Sequence, residues 1–169
     1  MDINNYNFLE HVASKKKPII ISTGMSTLGE IEAAISVINK AGNDEIVLLH
    51  CISIYPPLFE DIHLNNISML QKTFGYPVGF SDHTLGREAA CIAVALGATW
   101  IEKHFTTDHT LDGLDHKHAM EPEAFTAYVR AIRETEAALR PKVSKIGSAE
   151  AYTRQRARRG LYVAADLPA

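Results

Sequence analysis

Two short polar runs carry the strongest chemical signal in this sequence: Ser81-Asp82-His83-Thr84 and, 21 residues further on, Glu102-Lys103-His104-Phe105. Each closes a short apolar stretch (YPVGF, then ATWIE), and one helix-length segment, REAACIAVALGA, lies between them. Two histidines therefore fall at the same end of two consecutive parallel strands and face one mouth. Paired neutral imidazoles suit a divalent metal and leave most positions around it open for substrate or water. Such an ion can polarise a carbonyl or lower the pKa of its bound water. Glu102 precedes His104 by two residues, shares its strand face, and is placed to act as a general base or acid.

The other strand ends are also polar: Ser22-Thr23, and His50-Cys51-Ile52-Ser53-Ile54-Tyr55. Such clusters at the C-terminal ends of apolar strands are hard to explain by packing, and loops at that face are where β/α barrels build active sites. The hydroxyls of Ser22, Ser53 and Ser81, with N–H groups at the helix starts that follow, could receive a phosphate or carboxylate. Plainer roles stand beside these. A lone strand-end histidine is more often structural than a ligand, although two at equivalent ends favour the ligand reading. Taken singly, Ser22 and Ser53 more often cap the next helix. Glu102 could sit in a buried ion pair, and Tyr55, before Pro56-Pro57, could be a rigid loop wall. His109, His116 and His118 are irregularly spaced and read as solvated loop residues.

The elements that position these groups follow from periodicity. KPIIIST (17–23) is a β-branched strand, followed by a helix over 26–41 that Ser26 or Thr27 can cap, with Leu28, Ile31, Ala34, Ile35 and Ile38 on one face. EIVLLHCIS (45–53), YPVGFSD (76–82) and ATWIEKHF (98–105) are further strands, with helices near 64–74, over 85–96 and from about 121 to 139. Continuous apolar strands separated by helices predict a parallel sheet covered on both faces. Four such units make half of an eight-fold barrel or a small open sheet, and pattern alone does not separate the two. From Pro141 the chain turns polar and basic, with a solvated run at Arg154–Arg159, before LYVAADL, which reads as a single strand opening another domain.

Composition sets the outer bounds. At 169 residues, 46% hydrophobic content and a formal charge of −3, the chain is long enough for one packed domain. It has no basic excess to attract nucleic acid. No apolar stretch is long enough to span a bilayer, and the N-terminus lacks the order of a signal peptide. Cys51 and Cys91 fall in buried segments without zinc spacing, which fits a reducing cytoplasm.

STGMSTLGEIEAA, LLHCISIYPP, PVGFSDHTLG, ALGATWIEKHFTTD and LDHKHAMEP together resemble the sialic acid synthase family, comprising N-acetylneuraminate, legionaminate and pseudaminate synthases. The resemblance runs from about Asp2 to Leu167. It implies condensation of phosphoenolpyruvate with an N-acetylated amino-hexose to a nine-carbon 2-keto acid, on a β/α barrel followed by a small antifreeze-like domain in a domain-swapped dimer. By motif position, His83 and His104 would hold a divalent metal, manganese first, with magnesium or cobalt as alternatives. Ser22, Ser53 and Ser81 would face phosphoenolpyruvate. Tyr55 and Asp115 would hold the acceptor sugar, and Tyr55 counts with Glu102 among the catalytic candidates, Glu102 handling a proton.

The expected architecture is therefore a partial (β/α)8 TIM barrel of about four βα units, strands five to eight, over 1–141. Residues 142–169 would form a linker and the truncated start of the antifreeze-like domain. Family barrels bring phosphate-binding lysines in four earlier units, so weak or absent turnover is expected, together with a homodimer or association with the missing half. Two other readings stay open: another metal-dependent phosphoenolpyruvate or aldol barrel, such as a 3-deoxy-sugar-acid synthase, and a non-catalytic fragment that binds metal or a partner subunit.

Overall fold

A computed structural model describes residues 2–141, 145–162 and 164–165. The chain divides into two compact units, Met1–Leu139 and Arg140–Ala169. The first contains α1 (Tyr6–Ala13), β1 (Ile19–Ser22), α2 (Leu28–Lys40), β2 (Ile46–Cys51), α3 (Asn66–Phe74), β3 (Val78–Asp82), α4 (Glu88–Ala95), β4 (Ile101–Lys103) and α5 (Pro122–Leu139). The second contains α6 (Ser148–Ala157).

The four strands form one parallel sheet in the order β1-β2-β3-β4, each joined to the next through a helix. This is the repeat of a (β/α)8 barrel carried through four units, a half-barrel. Strand alternation divides the side chains between two faces. Ile19, Ile21, Ile46, Leu48, Val78 and Phe80 point into the core beneath the helices, where they meet Ile31, Ala34, Ile35 and Ile38 of α2 and Ile67 and Leu70 of α3. The opposite, inner face carries Ile20 and Ser22, Leu49 and Cys51, Gly79 and Ser81, and Glu102. The register pairs Ser22 with Leu49, Leu49 with Gly79, Cys51 with Ser81, and Ser81 with Glu102. A Cβ on Gly79 would stand 2.6 Å from the Cβ and carbonyl oxygen of Trp100, so only glycine lets β4 approach there.

Local signals set the ends of these elements. Thr27 caps α2 in a reciprocal capping box: its hydroxyl accepts from Glu30 N–H, and the Glu30 carboxylate accepts from Thr27 N–H at 2.7 Å. The expected apolar face of α2 is buried except at Leu28, which stands in the first turn and is 46% exposed. All four strands are shorter than the apolar runs suggest, β4 most of all. Phe105, expected inside that strand, instead bridges to Met120. Two helices absent from the periodicity reading are present. In α1, only Leu9 and Ala13 are buried, too sparse a pattern to stand out; α6 buries nothing and places Arg154 and Arg156 in its last turn.

The strand expected at LYVAADL falls partly outside the described residues, and its described Leu161 and Tyr162 are exposed. No helix among the described residues is long and apolar enough to cross a membrane.

Candidate active site

Seven of the eight residues singled out from the sequence line one cleft of about 180 Å³ at the C-terminal ends of the strands. Ser22, Ser53, Tyr55, Ser81, His83, Glu102 and His104 are there, joined by Gly24 and Cys51. Asp115 lies at the rim, its carboxylate 3.8 Å from His104 Nδ1 and its side chain 70% exposed. The inner-face register explains the gathering. Cys51, Ser81 and Glu102 sit side by side across β2, β3 and β4, and Ser53, His83 and His104 follow two residues further along each chain.

The electrostatics start from Ser81, whose buried hydroxyl lies 2.7 Å from Glu102 Oε1 and 3.3 Å from His83 Nε2. One proton cannot serve both acceptors, and the shorter contact to a charged carboxylate takes it. On the other side of the ring, His83 Nδ1 sits 2.7 Å from the Ile52 carbonyl oxygen, which can only accept, so Nδ1 carries the proton. The Nε2 lone pair therefore faces the cleft with no hydrogen to accept. Burial, reinforced by the neighbouring His104, holds the His83 pKa below its ordinary value despite the Ile52 contact, so the ring is neutral at neutral pH. The two imidazoles meet edge to face with centroids 5.4 Å apart, and the Tyr55 ring packs on His83 at 4.1 Å and against His104 at 5.6 Å. Burial, with Cys51, Asp115 and Glu102 nearby, raises the Tyr55 pKa, so its hydroxyl remains a donor.

This donor set fits a divalent cation. It offers a neutral imidazole whose Nε2 carries the free lone pair and whose Nδ1 is anchored to a carbonyl, a second imidazole, and an adjacent carboxylate. No group of three or more His, Cys, Asp or Glu side chains among the described residues is arranged to hold an ion alone. Substrate or water atoms would have to complete the coordination.

Several plainer readings fail on geometry. Neither Ser22 nor Ser53 caps a helix: Thr27 caps α2, and α3 has no side-chain cap. Glu102 accepts from Ser81 rather than joining a buried ion pair, while Lys103, its neighbour, pairs with Asp82. Tyr55 stacks on a site histidine rather than only walling a loop. His109 and His116 are pinned, not merely solvated: His109 Nε2 lies 2.7 Å from the Ala119 carbonyl oxygen and His116 Nδ1 2.7 Å from Thr106 Oγ1. His50 points away from the cleft into the core, 2.7 Å from the Ile62 carbonyl oxygen and stacked against Phe80. Sequence reasoning missed Gly24 and Cys51 as walls of the cleft. A Cβ on Gly24 would stand 2.5 Å from Ser53 Oγ and 2.8 Å from Cys51 Sγ, so glycine here leaves room for both side chains at the cleft. Gly24 lies two residues after Ser22, which was the available clue.

Comparison with known proteins places the chain in a family. Residues 1–144 match the family model described as the NeuB family. The chain is 43% identical over 170 residues to the N,N'-diacetyllegionaminic acid synthase of Legionella pneumophila, covering 98% of this chain and 48% of that protein. It is 50% identical over 135 residues to an uncharacterised protein of Methanocaldococcus jannaschii, covering 80% of this chain and 40% of that one. Among solved structures, the N-acetylneuraminic acid synthetase of Leptospira borgpetersenii, crystallised with citrate, superposes with a TM-score of 0.79 at 35% identity. The match covers 94% of this chain and 56% of that one. The chain spans about half the length of the curated relatives it matches.

Proposed function

Since the chain belongs to the NeuB family, whose named members include sugar-acid synthases, we propose that it carries the metal-binding half of a sialic-acid-type synthase active site. The reaction is condensation of phosphoenolpyruvate with an N-acetylated amino-hexose, giving a nine-carbon 2-keto acid and phosphate. The observation that carries the reading is the single cleft in which an unprotonated His83 Nε2, His104, Glu102 and Ser81 converge.

His83 and His104 would hold a divalent ion, manganese first, which when bound supplies an electrophile for the acceptor's aldehyde oxygen. The remaining work falls to the chain's own groups. The hydroxyls of Ser81, Ser53 and Ser22 would orient phosphoenolpyruvate so that its enol carbon meets the aldehyde carbon. Glu102, which accepts a hydrogen bond from the Ser81 hydroxyl at 2.7 Å, would take a proton from the water that adds to the enolpyruvyl carbon before phosphate leaves with C–O cleavage. Tyr55 would donate to the acceptor sugar, and Asp115, exposed at the rim, would accept from its hydroxyl or amide groups. The reading places the chain in the cytoplasm, a reducing compartment that suits its free Cys51 and Cys91.

Calorimetric titration of phosphoenolpyruvate into the chain with saturating Mn²⁺ tests the substrate. Binding that weakens about tenfold or more in Ser81→Ala is expected, the charge-assisted contact being worth about 1.5–3 kcal/mol. No phosphoenolpyruvate binding by the wild-type chain would contradict the reading. Phosphate release with N-acetylmannosamine should be slow or absent, and robust turnover would overturn the view that this half is catalytically impaired.

A further inference from the structure

A buried charge cluster stands directly behind the candidate site, on the opposite face of the same two strand ends. Asp82 lies between Ser81 and His83, and Lys103 between Glu102 and His104, so both point away from the cleft. They are cross-strand partners in the β3–β4 ladder. The Lys103 ammonium lies 3.4 Å from Asp82 Oδ2, with side chains 3% and 0% exposed. Lys103 also donates to the Thr84 carbonyl oxygen. Asp82 Oδ1 accepts from the Thr84 N–H at 2.8 Å and from its hydroxyl at 2.7 Å, which fixes the turn that contains His83. From α5, the buried Tyr128 hydroxyl donates to Asp82 Oδ2 at 2.8 Å. Among the described residues, no buried side-chain polar atom lacks a partner, so the cluster is complete.

Buried ion pairs contribute little net stability compared with apolar residues of the same shape, because desolvation offsets their attraction. What this one does geometrically is tie two backbone segments together at the positions between the cleft residues. We infer that Asp82, Lys103 and Tyr128 are positioning residues, locking the ends of β3 and β4 from behind so that the imidazoles of His83 and His104 hold a fixed separation and angle. The expected effect on cation binding rests on the metal reading above; the effect on imidazole geometry does not.

The test uses the full chain, the double variant Asp82→Asn/Lys103→Met, which removes both charges at similar volume, and Tyr128→Phe, which removes one hydroxyl. Three readouts are taken: thermal unfolding, Mn²⁺ affinity by calorimetry, and the ring ¹⁵N signals of His83 and His104 in the metal-free protein. The double variant should remain folded, lose Mn²⁺ affinity about tenfold or more, as for other groups that orient metal-binding histidines, and show both ring signals displaced. Tyr128→Phe should shift both in the same direction by less. Folded variants with unchanged affinity and unchanged ring signals would overturn the inference, as would lowered melting with site properties intact. If the double variant does not fold, Tyr128→Phe decides by the same two site readouts. If the wild-type chain binds no Mn²⁺, the metal reading fails, and the metal-free ring signals alone decide: displacement upholds positioning and constancy overturns it.

Discussion

His83 is held from two sides, through Nδ1 by the Ile52 carbonyl and through the backbone by the Asp82 turn, and this leaves a single nitrogen directed at the cleft. A cation must compete with a proton for that nitrogen. Burial keeps the His83 pKa below the ordinary imidazole value of about 6.5, so its share of any affinity loss should begin only as pH falls below that value. Mn²⁺ titrations between pH 8 and pH 5 check the sign; a loss already complete above about pH 7 would contradict it. Gly24 gives a steric counterpart. Gly24→Ala should leave the fold nearly intact yet disturb the cleft, because the added methyl meets Ser53 Oγ and the buried Cys51 Sγ. Lower Mn²⁺-dependent phosphoenolpyruvate binding with little change in melting temperature is the expected pair of results.

At the scale of elements, α2 and β2 allow separate tests. Removing the Thr27 hydroxyl opens the capping box, and Thr27→Ala should cost about 1 kcal/mol in urea unfolding. In β2, burial lowers the pKa of His50. Its imidazole then gains a proton in the unfolded chain near pH 6.5 before it can in the native one, so stability should fall as pH drops below about 6.5 and be insensitive to this group above it. Urea midpoints at pH 7.5 and 5.5 measure the fall, which should shrink in His50→Gln.

The same elements show what the sequence made legible. Strands β2 and β3 announced themselves because every residue in them is buried, giving continuous apolar runs, and β1 did so through its β-branched run although Ile20 and Ser22 on its inner face are exposed. Helix α2 did so through its cap and its Ile31, Ala34, Ile35 and Ile38 stripe. Helices α1 and α6 did not, since two buried residues or none leave no periodicity to read. The cleft residues were legible because strand alternation puts residues two apart on one face. The cluster behind them was not: alternation places Asp82 and Lys103 on the far face, but nothing local says that Tyr128, 46 residues from Asp82, arrives there to meet them.

For the molecule as a whole, the sheet ends at β1 and β4, each with one neighbour among the described residues. Ile20, on the inner face of β1, is 47% exposed, and Trp100, beside β4, is 49% exposed. Unpaired parallel edges next to apolar side chains favour pairing with another chain. The 169-residue chain should therefore elute in light-scattering chromatography above its 18.6 kDa monomer mass, and Trp100→Glu should shift it toward the monomer. A well-folded monomer at all concentrations would contradict this.

The central claim is that His83 and His104 together form a cation site, and calorimetric titration with Mn²⁺ tests it most directly. The wild-type chain should bind one ion. His83→Ala and His104→Ala should each weaken binding by at least about tenfold, the loss already known for removing only the group that orients such a ligand. Unchanged binding in either folded variant would contradict the account.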